Sequence, residues 1–162
     1  MAKTRDFYLK YENGTMIIKC DDDKGKMATT QEFKMPLKID LRAKTDSTNI
    51  RLSYGCGEVF LNWEGNKDDL YINDILSKRE YKFIESGRIP ENEFIDIEWI
   101  LELEYMALRI NGEIRQIGNT YDYIKKFVND VDFNFTSVFS VAVAMGSTVT
   151  VASLVVIELK GK

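Results

Sequence analysis

The dipeptide Asn111-Gly112 constrains this chain more than any other feature of its sequence. It stands between an alternating run, Met106, Leu108 and Ile110, and a second short segment, Glu113–Ile117. A two-residue type I′ turn needs positive φ at both central positions, which asparagine and glycine tolerate best, and apolar residues at every second place have the period of a strand. The pair therefore predicts a β-hairpin and, with it, a β domain. The same stretch, ENEFIDIEW at 91–99, carries a run of carboxylates that looks catalytic. Strand geometry decides whether that run can do chemistry.

Ten strands are expected: Thr15–Cys20, Pro36–Ala43, Asn49–Tyr54, Glu58–Glu64, Leu70–Asn73, Phe94–Leu101, Tyr105–Ile110, Glu113–Ile117, Val138–Met145 and Thr148–Leu159. Turn-forming clusters such as Asp21–Gly25, Gly55-Cys56-Gly57 and Gly65-Asn66-Lys67 separate them. Many short strands at regular spacing indicate a sandwich or jelly roll. The last strand is apolar on both faces, with Val149, Val151, Val155, Ile157 and Leu159 on one and Ala152, Leu154 and Val156 on the other, which predicts a place in the middle of its sheet. One helix is expected from Tyr121 to about Val128, with Thr120 as its N-cap and Tyr121, Ile124 and Val128 on one face.

At 162 residues, 44% of them hydrophobic, the chain can bury one substantial core, and a single domain over 1–162 is expected. Its 22 basic and 26 acidic residues leave a net charge of −4 with no basic tract, which argues against direct nucleic acid binding. No segment approaches the roughly 20 apolar residues of a membrane helix, and the opening MAKTRDFYLKYENG has no apolar signal core. A cytoplasmic protein without a membrane partner is expected. The chain contains no histidine, which removes Ser-His-Asp triads and histidine metal sites together. Cys20 and Cys56 are then expected as reduced thiols, one facing a core and one in a turn. No cofactor and no metal is expected.

Several groups compete for a functional role. Asp96 and Glu98 share a strand face with Phe94, whereas Glu93 points the other way, so a three-carboxylate catalytic face does not form and a solvated polar face is expected. Asp21-Asp22-Asp23 and the run Asp130–Asn134 suggest calcium, but neither fits the helix-flanked loop, Phe135 standing where a glycine and Val141 where the distal glutamate would fall; plain turns are expected. Trp63 aligns with Val59 and Leu61, and Trp99 with Ile95 and Ile97, which predicts core packing for both. The opposite faces of Asn49–Tyr54, Glu58–Glu64 and Leu70–Asn73 carry Arg51, Asn62, Glu64, Tyr71 and Asn73. Amides and charges that pair with adjacent hydroxyls, beside an aromatic contact, suit a hydroxyl-rich ligand; a solvated face with an Arg51–Glu64 ion pair explains the same residues.

The strand series 36–54, LNWE at 61–64, FIDIEW followed by MALRINGEIR, and the closing GSTVTVASLVVIEL resemble the concanavalin A-like lectin/glucanase jelly roll, including laminin G-like domains. The blocks AKTDSTNIRLSY, LNWEGN, RIPENEFIDIEW, RINGEIR and GSTVTV are similar to a sugar-sensing domain of Gram-positive helix-turn-helix regulators. The resemblance implies two curved sheets, with strands 49–54, 58–64 and 70–73 in the concave one and FIDIEW with its hairpin in the other. It also implies an aromatic where Met145 stands. No helix-turn-helix segment is legible, so the sensor alone is expected.

These readings combine into an all-β jelly-roll sandwich of two antiparallel sheets with one short helix. The expected function is that of a non-enzyme that binds a carbohydrate or related polyol through Arg51, Asn62, Glu64, Tyr71 and Asn73, in a bacterial regulatory system. An assembly domain that forms a homodimer is the alternative, and a jelly-roll glycoside hydrolase a third reading. The last is disfavoured because only Glu64 is mapped as an acid on the binding face.

Overall fold

The computed structural model describes residues 7–12, 14–20, 25–124 and 136–160. Two antiparallel sheets face each other. The first has seven strands, in spatial order β1 (Phe7–Glu12), β2 (Thr15–Cys20), β15 (Thr148–Glu158), β5 (Leu37–Thr45), β10 (Ile95–Leu101), β11 (Met106–Ile110) and β12 (Glu113–Gly118). The second has six: β3 (Gly25–Ala28), β14 (Phe139–Val143), β6 (Ile50–Tyr54), β7 (Gly57–Leu61), β8 (Leu70–Asp74) and β9 (Arg79–Phe83). A two-stranded patch joins β4 (Phe33–Lys34) to β13 (Thr136–Ser137). This is the jelly-roll sandwich that the strand pattern predicts, and the FIDIEW strand lies with its hairpin in the sheet opposite β6, β7 and β8.

The hairpin forms as expected: Asn111 and Gly112 take φ of 50° and 81°, and Ile110 pairs with Glu113. Asn111 also exchanges two hydrogen bonds with Asp96, its N–H donating to the Asp96 carbonyl at 2.8 Å and its Oδ1 accepting from the Asp96 N–H at 2.9 Å. The turn thereby locks β11 against the start of β10. Between the sheets, period-two alternation delivers Ile39 and Leu41 from β5, Leu52 and Tyr54 from β6, Val59 and Leu61 from β7, and Ile97 and Trp99 from β10 into one core. Cys20 and Cys56 are both buried.

Besides a register shift in the β11–β12 pair between Leu108 and Arg109, alternation breaks at two places that correct the sequence reading. In β15 the register against β5 shifts between Val151 and Ser153, so Ala152 is accommodated as a bulge. Val149 and Val151 enter the core, but beyond the bulge Leu154 and Val156 turn inward while Val155 and Ile157 face solvent. The strand does sit between β2 and β5, in the middle of its sheet. The second break follows β7 at Asn62, described below.

The helix is a single turn, α1 (Thr120–Tyr123), capped by Asn119 rather than Thr120: the Asn119 side chain accepts from the Tyr121 N–H. Ile124 is buried and Tyr121 is 40% exposed, so the two do not share a buried face. The rest of the expected helix, and both aspartate runs weighed for calcium, lie outside the described residues. No helix among the described residues is long and apolar enough to cross a membrane.

Candidate functional site

The outward face of the six-stranded sheet carries two cross-strand rows. One runs Ser140, Ser53, Glu58, Asn73, Glu80 over β14, β6, β7, β8 and β9. The other runs Ala142, Arg51, Phe60, Tyr71, Lys82 over the same strands. The first row is polar throughout; the second is a cation–aromatic ladder. Antiparallel pairing puts directly opposite side chains within about 5.5 Å of one another, which is why each row makes contacts along its length.

In the ladder, the Arg51 guanidinium lies 4.5 Å from the Phe60 ring centre, Phe60 meets Tyr71 at 5.0 Å, and Trp63 stacks on Tyr71 at 4.7 Å and 13°. The Lys82 ammonium sits 4.9 Å from the Trp63 ring centre. Arg51 is 4% exposed and is held at 2.7 Å by Glu64 and at 3.1 Å by the Asn49 amide oxygen. A buried guanidinium needs such partners, because an uncompensated charge in a low-dielectric site is costly. Burial above all, and then a hydrogen bond to the Glu80 carboxylate, push the Tyr71 phenol up, so it remains a neutral donor.

In the polar row, Asn73 Nδ2 donates to Glu58 at 3.2 Å, and Ser53 Oγ lies 3.5 Å from the other oxygen of the same carboxylate. Among the described residues no cation pairs with Glu58 or Glu80.

Trp63 is here because of Asn62. Asn62 adopts φ of 48°, a left-handed conformation that asparagine enters more readily than most residues and that ends the strand alternation. Its Nδ2 donates to the carbonyls of Ser47 and Ile89 at 3.1 and 3.0 Å, and its Oδ1 accepts from the Ile89 N–H at 2.8 Å. Those bonds use both amide protons and leave the residue 1% exposed. The following side chain, Trp63, swings out of the core and onto Tyr71, where a Cβ at Gly65 would stand 2.6 Å from its ring. The expectation of a core Trp63 is corrected by this reversal. Trp99 is fully buried, as its alternation predicts.

Arg51, Glu64, Tyr71 and Asn73 come together on one face, while Asn62 is an internal clamp between two loops. Phe60 joins them, as the alternation of its strand predicts, whereas sequence reasoning missed Glu58, Lys82, Glu80 and Trp63 as members of this face. Glu58 was legible by the same period that placed Glu64. Glu80 and Lys82 belong to REYKF, whose Tyr81 and Phe83 alternate inward although its charge hides the strand. Met145 is 63% exposed at the turn after β14. The carboxylates of ENEFIDIEW lie elsewhere: Asp96 pairs with Arg42 at 2.8 Å, and Glu98 with Arg109 and Lys38, on the outer face of the seven-stranded sheet. The Arg109 guanidinium, chiefly, holds the Glu98 carboxyl below its usual range. A hollow of about 490 Å³ opens on that face, but its acids are already paired with its bases.

The sequence pattern of no known family matches the chain, and no curated protein matches it. Solved structures do share its fold. A sialidase superimposes with a TM-score of 0.63 at 10% identity over 95% of this chain, which spans 16% of the sialidase's length. The carbohydrate-binding module CBM66 from Bacillus subtilis matches with a TM-score of 0.65 at 8% identity, covering 93% of this chain and 91% of that one. A β-1,3-glucanase from Mycobacterium marinum matches with 0.65 at 12% identity, over 90% and 75%. The chain thus shares its jelly-roll sandwich fold with these structures. The expectation of a non-enzyme is corrected: hydrolases share this architecture, and the face holds Glu58 and Glu80 in addition to Glu64.

Proposed function

We propose that the outward face of the six-stranded sheet binds a carbohydrate or another hydroxyl-rich small molecule. One observation carries the reading: the reversal at Asn62 stacks Trp63 on Tyr71 beside a row of hydrogen-bonding groups, Glu58, Asn73 and Glu80. An aromatic ring accepts the C–H face of a sugar, and carboxylate and amide oxygens accept from its hydroxyls. Each such bond replaces a bond to water and contributes about 1 kcal/mol, so affinity is modest. In the same reading the chain is the ligand-sensing part of a bacterial regulatory system, as its resemblance implies. Tryptophan emission tests the binding, because Trp99 is fully buried and Trp63 is the indole on the face. Titration with a panel of mono- and oligosaccharides should give a saturable change with at least one sugar, abolished by Trp63→Phe and weakened by Asn73→Ala. No response to any sugar at millimolar concentration would sink the reading.

A second reading, glycoside hydrolysis, is favoured by Glu58 and Glu80 on one row. Two strand spacings put their backbones about 10 Å apart. Inverting hydrolases hold their carboxyls about 6.5 to 9.5 Å apart, on opposite sides of the scissile bond. Release of reducing ends from a polysaccharide, lost in both Glu58→Gln and Glu80→Gln, would establish it.

A further inference from the structure

The bulge in β15 leaves an unexplained feature on the other side of the molecule. Val155 and Ile157, displaced outward, are 50% and 41% exposed, and Ile114 and Ile117 on β12 are 55% and 52% exposed. All four face the same way. Register places Val155, Asp40, Glu98, Arg109 and Ile114 in one row across β15, β5, β10, β11 and β12. Ile157 and Ile117 flank the adjacent row, which passes through Ile100 of β10. The row is apolar at both ends, anionic on one side of β10 and cationic on the other. A two-fold axis along β10 exchanges its ends.

We infer that this face pairs with a second copy of the same chain, β10 lying over β10 and β15 over β12 of its partner. Under that symmetry Val155 meets Ile114, Ile157 meets Ile117, and Asp40 meets Arg109, each contact occurring twice, as an isologous interface requires. Lys38 and Arg109 bracket each central Glu98, so the two glutamates approach already neutralised. Charge complementarity in this row singles out a second copy as the occupant: from Asp40 through Glu98 to Arg109 it has the order of signs that its own reverse requires, and Asp96, which also meets its own copy, is paired with Arg42. Five strands at about 4.8 Å span only about 19 Å, which puts the contact at the small end of specific interfaces. Association is therefore weak and concentration-dependent. The dimer leaves the outward face of both six-stranded sheets open and pointing apart.

Sedimentation velocity of the full chain, from micromolar to millimolar concentration and without ligand, tests the interface separately from the sugar reading. The expected result is a monomer–dimer equilibrium. Ile157→Lys should weaken it at least tenfold, because it places a charge against an apolar partner. Asp40→Arg should do the same by facing Arg109, and Asp40→Arg with Arg109→Asp should restore it. Circular dichroism melts of each variant establish that the fold survives. A monomer at every concentration, or a dimer indifferent to both Ile157→Lys and Asp40→Arg, would overturn the inference.

Discussion

The outward faces of the two sheets carry the same kinds of charged residue and satisfy them differently. On the seven-stranded sheet Asp96, Glu98 and Asp40 each lie within ion-pair distance of Arg42, Arg109 or Lys38. On the six-stranded sheet Arg51 is paired with Glu64 and roofed against Phe60, while Glu58 takes a hydrogen bond from the neutral Asn73 amide and Glu80 helps to hold the Tyr71 phenol neutral. An ion pair already closed within a face offers a neutral, hydroxyl-rich ligand little, since each partner would have to be released first. Carboxylates held by neutral donors keep acceptor capacity. The difference teaches that charge on a strand is a poor guide to function until its cross-strand neighbour is known.

The contrast between the two tryptophans gives the largest expected effect. Trp99→Ala, which empties the core between the sheets, should cost about 3 to 5 kcal/mol in urea unfolding, whereas Trp63→Ala should cost about 1 kcal/mol and remove the sugar response. Equal losses would erase the distinction between core and face. Asn62 and Asn73 sharpen it next: Asn62→Ala leaves two carbonyls and an N–H buried without their partner, so a loss of about 2 to 4 kcal/mol is expected in the same assay. Asn73→Ala should cost less than about 1 kcal/mol, its effect falling on binding instead.

Arg51→Met strands Glu64 and removes the contact over Phe60, and thermal melts should register about 1 to 3 kcal/mol. The smallest effect concerns pH. Because the folded-state pKa of Glu98 is depressed below its ordinary value of 4.5, its contribution is fully present above that value and is lost as pH falls through the folded pKa. Arg109→Met should therefore flatten the decline of stability with acidification below pH 4.5, measured at concentrations where the chain is monomeric. An unchanged acid profile would show that the pair is not coupled to folding.

Much of the fold was legible because strand alternation and turn chemistry are local. The Asn111-Gly112 hairpin and the buried faces of β6, β7 and β10 follow from residues two apart. Arg51, Glu64, Tyr71 and Asn73 reached one surface because β6, β7 and β8 are sequential and pair in order. The two residues or runs placed on the wrong face share one physical origin. A period-two reading assumes unbroken extended backbone, and it fails where one residue leaves that conformation. At Asn62 a positive φ turned Trp63 from the core to the face, and at Ala152 a bulge turned Val155 and Ile157 outward.

The sequence by itself determined that this chain is an antiparallel β sandwich and which strands carry aromatic and hydroxyl-pairing chemistry, since both rest on local spacing. Only the tertiary structure decided which acids are already paired, that Asn62 clamps two loops, and that Glu58 and Glu80 share a row with Asn73. Those facts depend on partners distant along the chain, Ile89 lying 27 residues from Asn62 and Asp96 lying 54 from Arg42, and on the register between strands. Neither is encoded in the spacing of a single segment.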